Sequence, residues 1–196
     1  MVGTGLKCVD NPSEILLTHY AEPLSGVAVG ATVDGVRPYL IEVQALVSQA
    51  AYGTPQRNTT GFDSRRMNML LAVVEKRVGL KMFQKDVFLN FAGGFKVADT
   101  GLDLAVVAAV LSSYFDTPLR DGLCLAGEIG LSGEVRPAQR TEQRVAEAAR
   151  LGFKRIVISG YAPKLQQKSA GIEVVRIHSV SELAANIFER QTVVED

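Results

Sequence analysis

A chain of 196 residues that is 47% hydrophobic and 21% charged has enough apolar material for a packed core, in the proportions of an ordinary globular protein. Its 21 acidic and 21 basic residues cancel, so net charge points to no particular partner, and a nucleic-acid role needs basic residues gathered on one face. Two cysteines, Cys8 and Cys124, with no CxxC spacing leave no readable zinc site and read as free thiols of a reducing, cytoplasmic compartment.

No apolar run approaches the roughly 18–20 residues that a membrane-spanning helix needs. The N-terminus lacks the basic-then-apolar pattern of a secretion signal, so no membrane partner is expected. Asn11-Pro12-Ser13-Glu14 predicts a helix start, with a polar cap and proline at the first helical position. Gly26–Thr32 and Tyr39–Ser48 are rich in Val and Ile and read as strands, with Asp34-Gly35 as the hairpin signal between them. Residues 51–62 hold Gly, Pro, Asn and Thr without periodicity and read as a mobile loop. Asp63 is placed to cap a helix to about Val78, with Met67, Leu70, Leu71 and Val74 on one face. Asp86–Phe91 reads as a short strand. The segment from about Thr100 to Phe115 is apolar nearly all round and predicts a central helix. Leu123–Gly127 and Gly133–Pro137 read as strands flanking a turn at Ser132-Gly133. Thr141–Leu151 reads as a helix closed by Gly152. Two strands follow, Arg155–Ser159 and Ile172–Ile177, then a last helix with Ser181 as cap that ends near Phe188. The tail 189–196 is expected to fray. The order predicts one domain over residues 1–196, of mixed α/β (α+β) class and not doubly wound.

Gly30 and Gly35 have the GxxxxG spacing of a phosphate loop, but Val36 and Arg37 stand where Lys and Ser/Thr belong, and strands flank both sides. A hairpin turn is the better account, and no ATP site is expected in this chain. Ser112 and Ser113 fall inside the apolar helix, Ser132 on a turn, and Lys96 has no evident Ser partner. His19 and His178 are isolated and read as structural. Asp99 and Asp103 lie four apart at a helix start, where the helix dipole is the simpler account; Glu128 and Glu134 on a hairpin favour cross-strand pairing over acid–base chemistry.

Two basic groupings stand out. Arg136, Arg140 and Arg144 are spaced by four, the last two on one helical face, and Lys154 and Arg155 follow. Arg57, Arg65 and Arg66 lie on and beside the loop. Arginine forks suit phosphates, yet Glu142 and Glu147 share the helix with Arg144, so spacing alone favours a solvated, salt-bridged face.

The segments NPSEILL, GVRPYLIEVQALVS, DSRRMNMLLAVVEKRVGL, DVFLNFAGGFKVADTGLDLAV and GEIGLSGEVRP together resemble the C-terminal, Lon-protease-like domain of the RadA (Sms) family of bacterial DNA repair proteins, over about Gly5 to Phe188. The resemblance implies a ribosomal S5 domain 2-type fold. It also implies a longer protein with a zinc finger and a RecA-like ATPase, using zinc, ATP and magnesium, that works as a homohexameric ring with the recombinase machinery in branch migration of double-stranded or branched DNA. This chain carries no CxxC pair, no phosphate loop and no KNRFG motif, so it matches the third part alone. The Lon-type serine falls on Gly101 and the Lon-type lysine on Arg144. Glycine has no nucleophile and arginine stays protonated, so the resemblance implies a domain without peptidase chemistry, cofactor or metal, kept for ring assembly and DNA contact. The alternatives are a pure oligomerisation scaffold and a residual Ser peptidase.

Overall fold

The structure, a computed structural model, describes residues 13–18, 22–51, 53–94, 96–165 and 171–188. The expectations for Cys8, Asn11-Pro12, His19 and the 189–196 tail lie outside these residues.

The elements run in chain order. A short helix α1 (Ser13–Leu16) precedes β1 (Val27–Asp34) and β2 (Arg37–Gln49). Next come β3 (Arg57–Thr60), α2 (Ser64–Val78), β4 (Lys85–Phe91) and α3 (Asp103–Tyr114), which a 3-10 turn at Thr100–Leu102 introduces. β5 (Leu123–Ala126), β6 (Glu128–Ile129), β7 (Val135–Arg136), α4 (Thr141–Arg150), β8 (Arg155–Ser159), β9 (Glu173–Ile177) and α5 (Leu183–Ile187) complete them. Among the described residues the main sheet has the order β3-β4-β2-β1-β5-β8-β9, and β6–β7 form a separate hairpin. β1–β2 and β2–β4 pair antiparallel, while β3–β4, β1–β5, β5–β8 and β8–β9 pair parallel. The class is therefore mixed α/β.

The sheet is buried on both faces over its centre. One face carries Ile41, Val43, Val87, Leu89, Leu125 and Val157 against α2, α3 and α5. The other carries Ala31, Leu40, Cys124, Ile156 and Ile158 against Val145 and Ala148 of α4. Helix α3 lies between sheet and outer helices, which is why its sequence is apolar all round and why Leu104 to Leu111 are all buried. Its two serines are structural. Ser112 Oγ donates to Thr117 O and accepts from Gly26 N, and Ser113 Oγ accepts from Val47 N. Gly30 lets α3 approach β1, because a Cβ there would meet Leu102 Cδ2 at 2.4 Å and Ala105 Cβ at 2.9 Å. Helix α2 is capped as its sequence indicates: Asp63 Oδ1 accepts from Arg66 N, and Gly79 closes the helix at φ 83°.

Four expectations are corrected. Part of the segment read as a mobile loop is strand: β3 pairs parallel with β4 from Arg57↔Val87 to Thr60↔Asn90. Arg-Asn-Thr-Thr has no apolar alternation because this edge strand buries little on either face. The first hairpin turns at Gly35-Val36, since Asp34 pairs with Arg37, one residue later than the Asp-Gly signal implied. Leu123–Ala126 is an inner strand of the main sheet, and the hairpin arm begins only at Glu128. Ser181 caps nothing; its hydroxyl donates to Arg77 O, while Ser179 precedes the turn and donates to Glu182.

Gly30→Ala should cost about 1–3 kcal/mol by overpacking the α3–β1 seam. Urea unfolding measures this, and a change below a few tenths would mean the seam is loosely packed.

Candidate functional site

At the C-terminal half of β1, a cleft of about 920 Å³ opens between the β1–β2 hairpin, residues 96–100 and the chain leaving β7. Asp99 and Arg144 form its base, Tyr39 and Val97 stand on its walls, and Arg37 and Lys96 are at its rim.

Arg144, in the first turn of α4, is wholly buried. Its Nε donates to Gln139 O at 2.8 Å, and Nη1 donates to Asp99 Oδ2 at 2.6 Å and to Ala31 O. Nη2 is buried without a hydrogen-bond partner. Asp99 also accepts from Thr32 Oγ1 at 2.7 Å and from Gly101 N at 2.9 Å. Gly101 lies against the guanidinium: a Cβ there would stand 2.8 Å from Arg144 Nη1, 2.9 Å from Ala138 Cβ and 3.0 Å from Arg144 Cζ. Residue 101 must therefore be small while Arg144 occupies this seat.

Burial alone pushes the Asp99 carboxyl up, but the hydrogen bond and charge of Arg144, with the Thr32 and Gly101 donors, outweigh it and hold Asp99 below the ordinary value. Burial, then the charge of Asp34, pushes the Tyr39 hydroxyl up.

A second network lies beside the first. Asp103, fully buried at the start of α3, accepts from Arg66 Nε at 2.8 Å, from Arg66 Nη2 and from Ile129 N. Burial pushes the Asp103 carboxyl up despite these donors. Thr100 Oγ1 donates to Glu128 at 2.6 Å, and Arg136 pairs with Glu134 at 2.5 Å and lies 3.9 Å from Glu128. The network joins α2, α3 and the β6–β7 hairpin. Asp99 and Asp103 thus serve different guanidinium groups and are not an acid–base pair.

The arginines spaced by four do not share a face. Arg144 is buried, so its guanidinium does not reach a phosphate. Arg140 precedes the helix in a left-handed conformation, φ 55°, and is exposed. Arg136 is half-exposed and ion-paired. Lys154 and Arg155 lie at the opposite, N-terminal end of β5 and β8, paired with Asp121 and Glu173. Of the second grouping, Arg66 is held by Asp103, Arg65 is exposed, and Arg57 donates to Asn68 Oδ1 and Met82 O. Spacing could not reveal Asp99 as the partner of Arg144, because Ala31, Asp99 and Arg144 come from three separate segments.

The threonine hydroxyls beside the cleft, Thr32 and Thr100, donate to carboxylates rather than to an amine base. Burial pushes the Cys124 thiol up to about 12, which makes it inert. The His178 ring packs edge-on to Tyr161 at 4.9 Å. The glycines of the GxxxxG spacing do not cradle a phosphate: Gly30 is packed under α3 and Gly35 is a hairpin residue, so the residues present do not fit ATP.

The model of the family described as subunit ChlI of Mg-chelatase matches residues 45–161. The chain is 46% identical over 178 residues to DNA repair protein RadA of Bacillus subtilis (strain 168), covering 91% of this chain and 39% of that protein. DNA repair protein RadA of Pseudomonas aeruginosa is 45% identical over 190 residues, 96% of this chain and 42% of the relative. That of Listeria monocytogenes is 44% identical over 182 residues, 93% and 40%. The chain spans about two-fifths of the length of the curated relatives it matches.

The buried pair makes an asymmetric prediction. Asp99→Ala strands a buried cation and should cost about 3–5 kcal/mol. Arg144→Met leaves a partly solvated carboxylate and should cost less, and the double variant should be more stable than the sum of the two losses. Additive losses in urea unfolding would mean the pair is not coupled. The pH dependence follows from the depressed Asp99. Its contribution is complete above the ordinary aspartate value of 3.8 and is lost as pH falls through the lower folded value. Asp99→Asn should flatten that part of the acid-unfolding curve, and an unchanged curve would contradict the assignment.

Proposed function

Since this chain belongs to the family described as subunit ChlI of Mg-chelatase and is alike over nine-tenths of its length to DNA repair proteins named RadA, we propose that it is a non-catalytic architectural domain of such a repair protein. In this reading the fold is Lon-protease-like, of the ribosomal S5 domain 2 type, and covers residues 1–196. Gly101 and Arg144 stand where the nucleophilic serine and the lysine base would be. The observation that carries the reading is the seat of Arg144. Its guanidinium fills the space beside residue 101 and is spent on Asp99, so positions 101 and 144 supply neither a hydroxyl to attack a carbonyl nor an amine to deprotonate it.

What remains for the domain is assembly and DNA contact. Six copies around a ring multiply contacts too weak to matter singly, and a protein with zero net charge can bind duplex DNA if its cations are gathered toward the channel. The longer protein would supply ATP, magnesium and zinc chemistry from its other parts, act in the cytoplasm with the recombinase machinery, and use the ring for branch migration. A second reading, an oligomerisation scaffold without DNA contact, is favoured by one fact: Arg66, Arg136, Lys154 and Arg155 are all ion-paired within the chain.

Incubation with unfolded protein and a serine-reactive phosphonate should give neither cleavage nor labelling, in the unaltered chain and in Gly101→Ser alike. A labelled serine would overturn the non-catalytic reading. Native mass measurement with and without duplex DNA should give an oligomer that shifts with DNA; an oligomer without the shift would favour the scaffold.

A further inference from the structure

The charge of this neutral chain is unevenly placed. Residues 57–86 hold seven cations and three carboxylates, a local net charge of +4 that the rest of the chain offsets. This segment is β3, α2 and the start of β4, so it forms the β3 edge of the sheet and the helix beside it. Of its cations, Arg66 alone has a carboxylate within ion-pair distance among the described residues. The three acids are spent on backbone: Asp63 caps α2, Glu75 accepts from Met82 N, and Asp86 accepts from Gln56 N. The opposite edge differs, because Lys154 and Arg155 are neutralised by Asp121 and Glu173.

We propose that duplex DNA meets this domain on the β3–α2 edge, through Arg57, Arg65, Lys76, Lys81 and Lys85. This rests on the DNA-contact reading above and names the surface that serves it. Arg65, Asn68, Ala72 and Lys76 are exposed at helical spacing along the solvent face of α2. From Arg65 to Lys76 the stripe runs about 16 Å at the helical rise per residue. A duplex carries one phosphate charge per about 1.7 Å of its axis, so a stripe of this length faces several phosphates at once. The geometry is partly preorganised. Arg57 is held by Asn68 Oδ1 and Met82 O, and the Lys85 ammonium sits 5.2 Å from the Tyr114 ring centroid. The contacts are to phosphates, so binding is sequence-independent and salt-dependent.

The test compares two triple substitutions of equal charge change in the 196-residue chain. Arg65→Gln/Lys76→Gln/Lys81→Gln lies on the proposed surface, and Lys154→Gln/Arg155→Gln/Lys164→Gln lies off it. Each is titrated with duplex DNA across a salt series, with circular dichroism to check the fold and light scattering to read the mass. The first set should weaken binding at low salt at least tenfold and lower the log–log salt slope by about 2–3, at about 0.9 per phosphate contact. The second set should stay within about twofold. Single substitutions of Arg65, Lys76 and Lys81, all exposed, should each remove about 0.9 of slope and keep the test open if the triple unfolds. If the unaltered chain binds no duplex, the DNA-contact reading falls and this surface with it. If the unaltered chain binds and both sets weaken it equally, the surface alone is wrong. If the first set changes the mass but not the affinity, this edge is an interface between copies and the proposal is overturned.

Discussion

The site depends on one buried charge. A guanidinium removed from water needs a counter-ion and acceptors in place, and Arg144 has Asp99, Ala31 O and Gln139 O. That requirement draws together α4, β1 and the segment that starts α3. It also fixes the identity of residue 101, because any Cβ there would press on the guanidinium. Such a pair is weak evidence for stability, since well-packed apolar residues often do as well. What it supplies is a single arrangement, with α4 set against β1 in one register.

The Arg66–Asp103 pair does similar work on the other side of α3. The fully buried Asp103 holds the α2 arginine and the Ile129 amide, so α2, α3 and the β6–β7 hairpin are tied to one carboxylate. The two aspartates four residues apart therefore bracket the start of α3 and face two different arginines. At the base of the cleft, Asp99 and Arg144 are committed to each other. Along the β3–α2 edge, by contrast, Arg57, Arg65, Lys76, Lys81 and Lys85 have no carboxylate within ion-pair distance among the described residues.

Much of the fold was legible because local signals agreed with their tertiary surroundings. The all-apolar run of α3 announced a helix covered on both sides, and Asp63 with Gly79 marked both ends of α2. The strand Arg57–Thr60 was not legible, because an edge strand of polar residues has no buried face to pattern it. The site was half legible. Gly101 and Arg144 could be singled out by resemblance, but whether Arg144 faced solvent or core could not be read from a spacing of four residues. Arg140, in a left-handed conformation just before α4, breaks the helical face that the spacing implied. The net charge of residues 57–86 is present in the sequence, but only the pairing of β3 with β4 beside α2 puts Lys76, Lys81 and Lys85 on one edge with Arg57 and Arg65.

The most direct measurement of the central claim is nitrogen-15 NMR of the Arg144 guanidinium, assigned by its loss in Arg144→Met. A buried, ion-paired guanidinium should show slow rotation about Nε–Cζ and Nη protons that exchange far more slowly with water than those of the exposed Arg65 and Arg140. Fast rotation and exchange like those of the exposed arginines would contradict the account. They would return Arg144 to the surface as a candidate phosphate contact and leave the space beside Gly101 open.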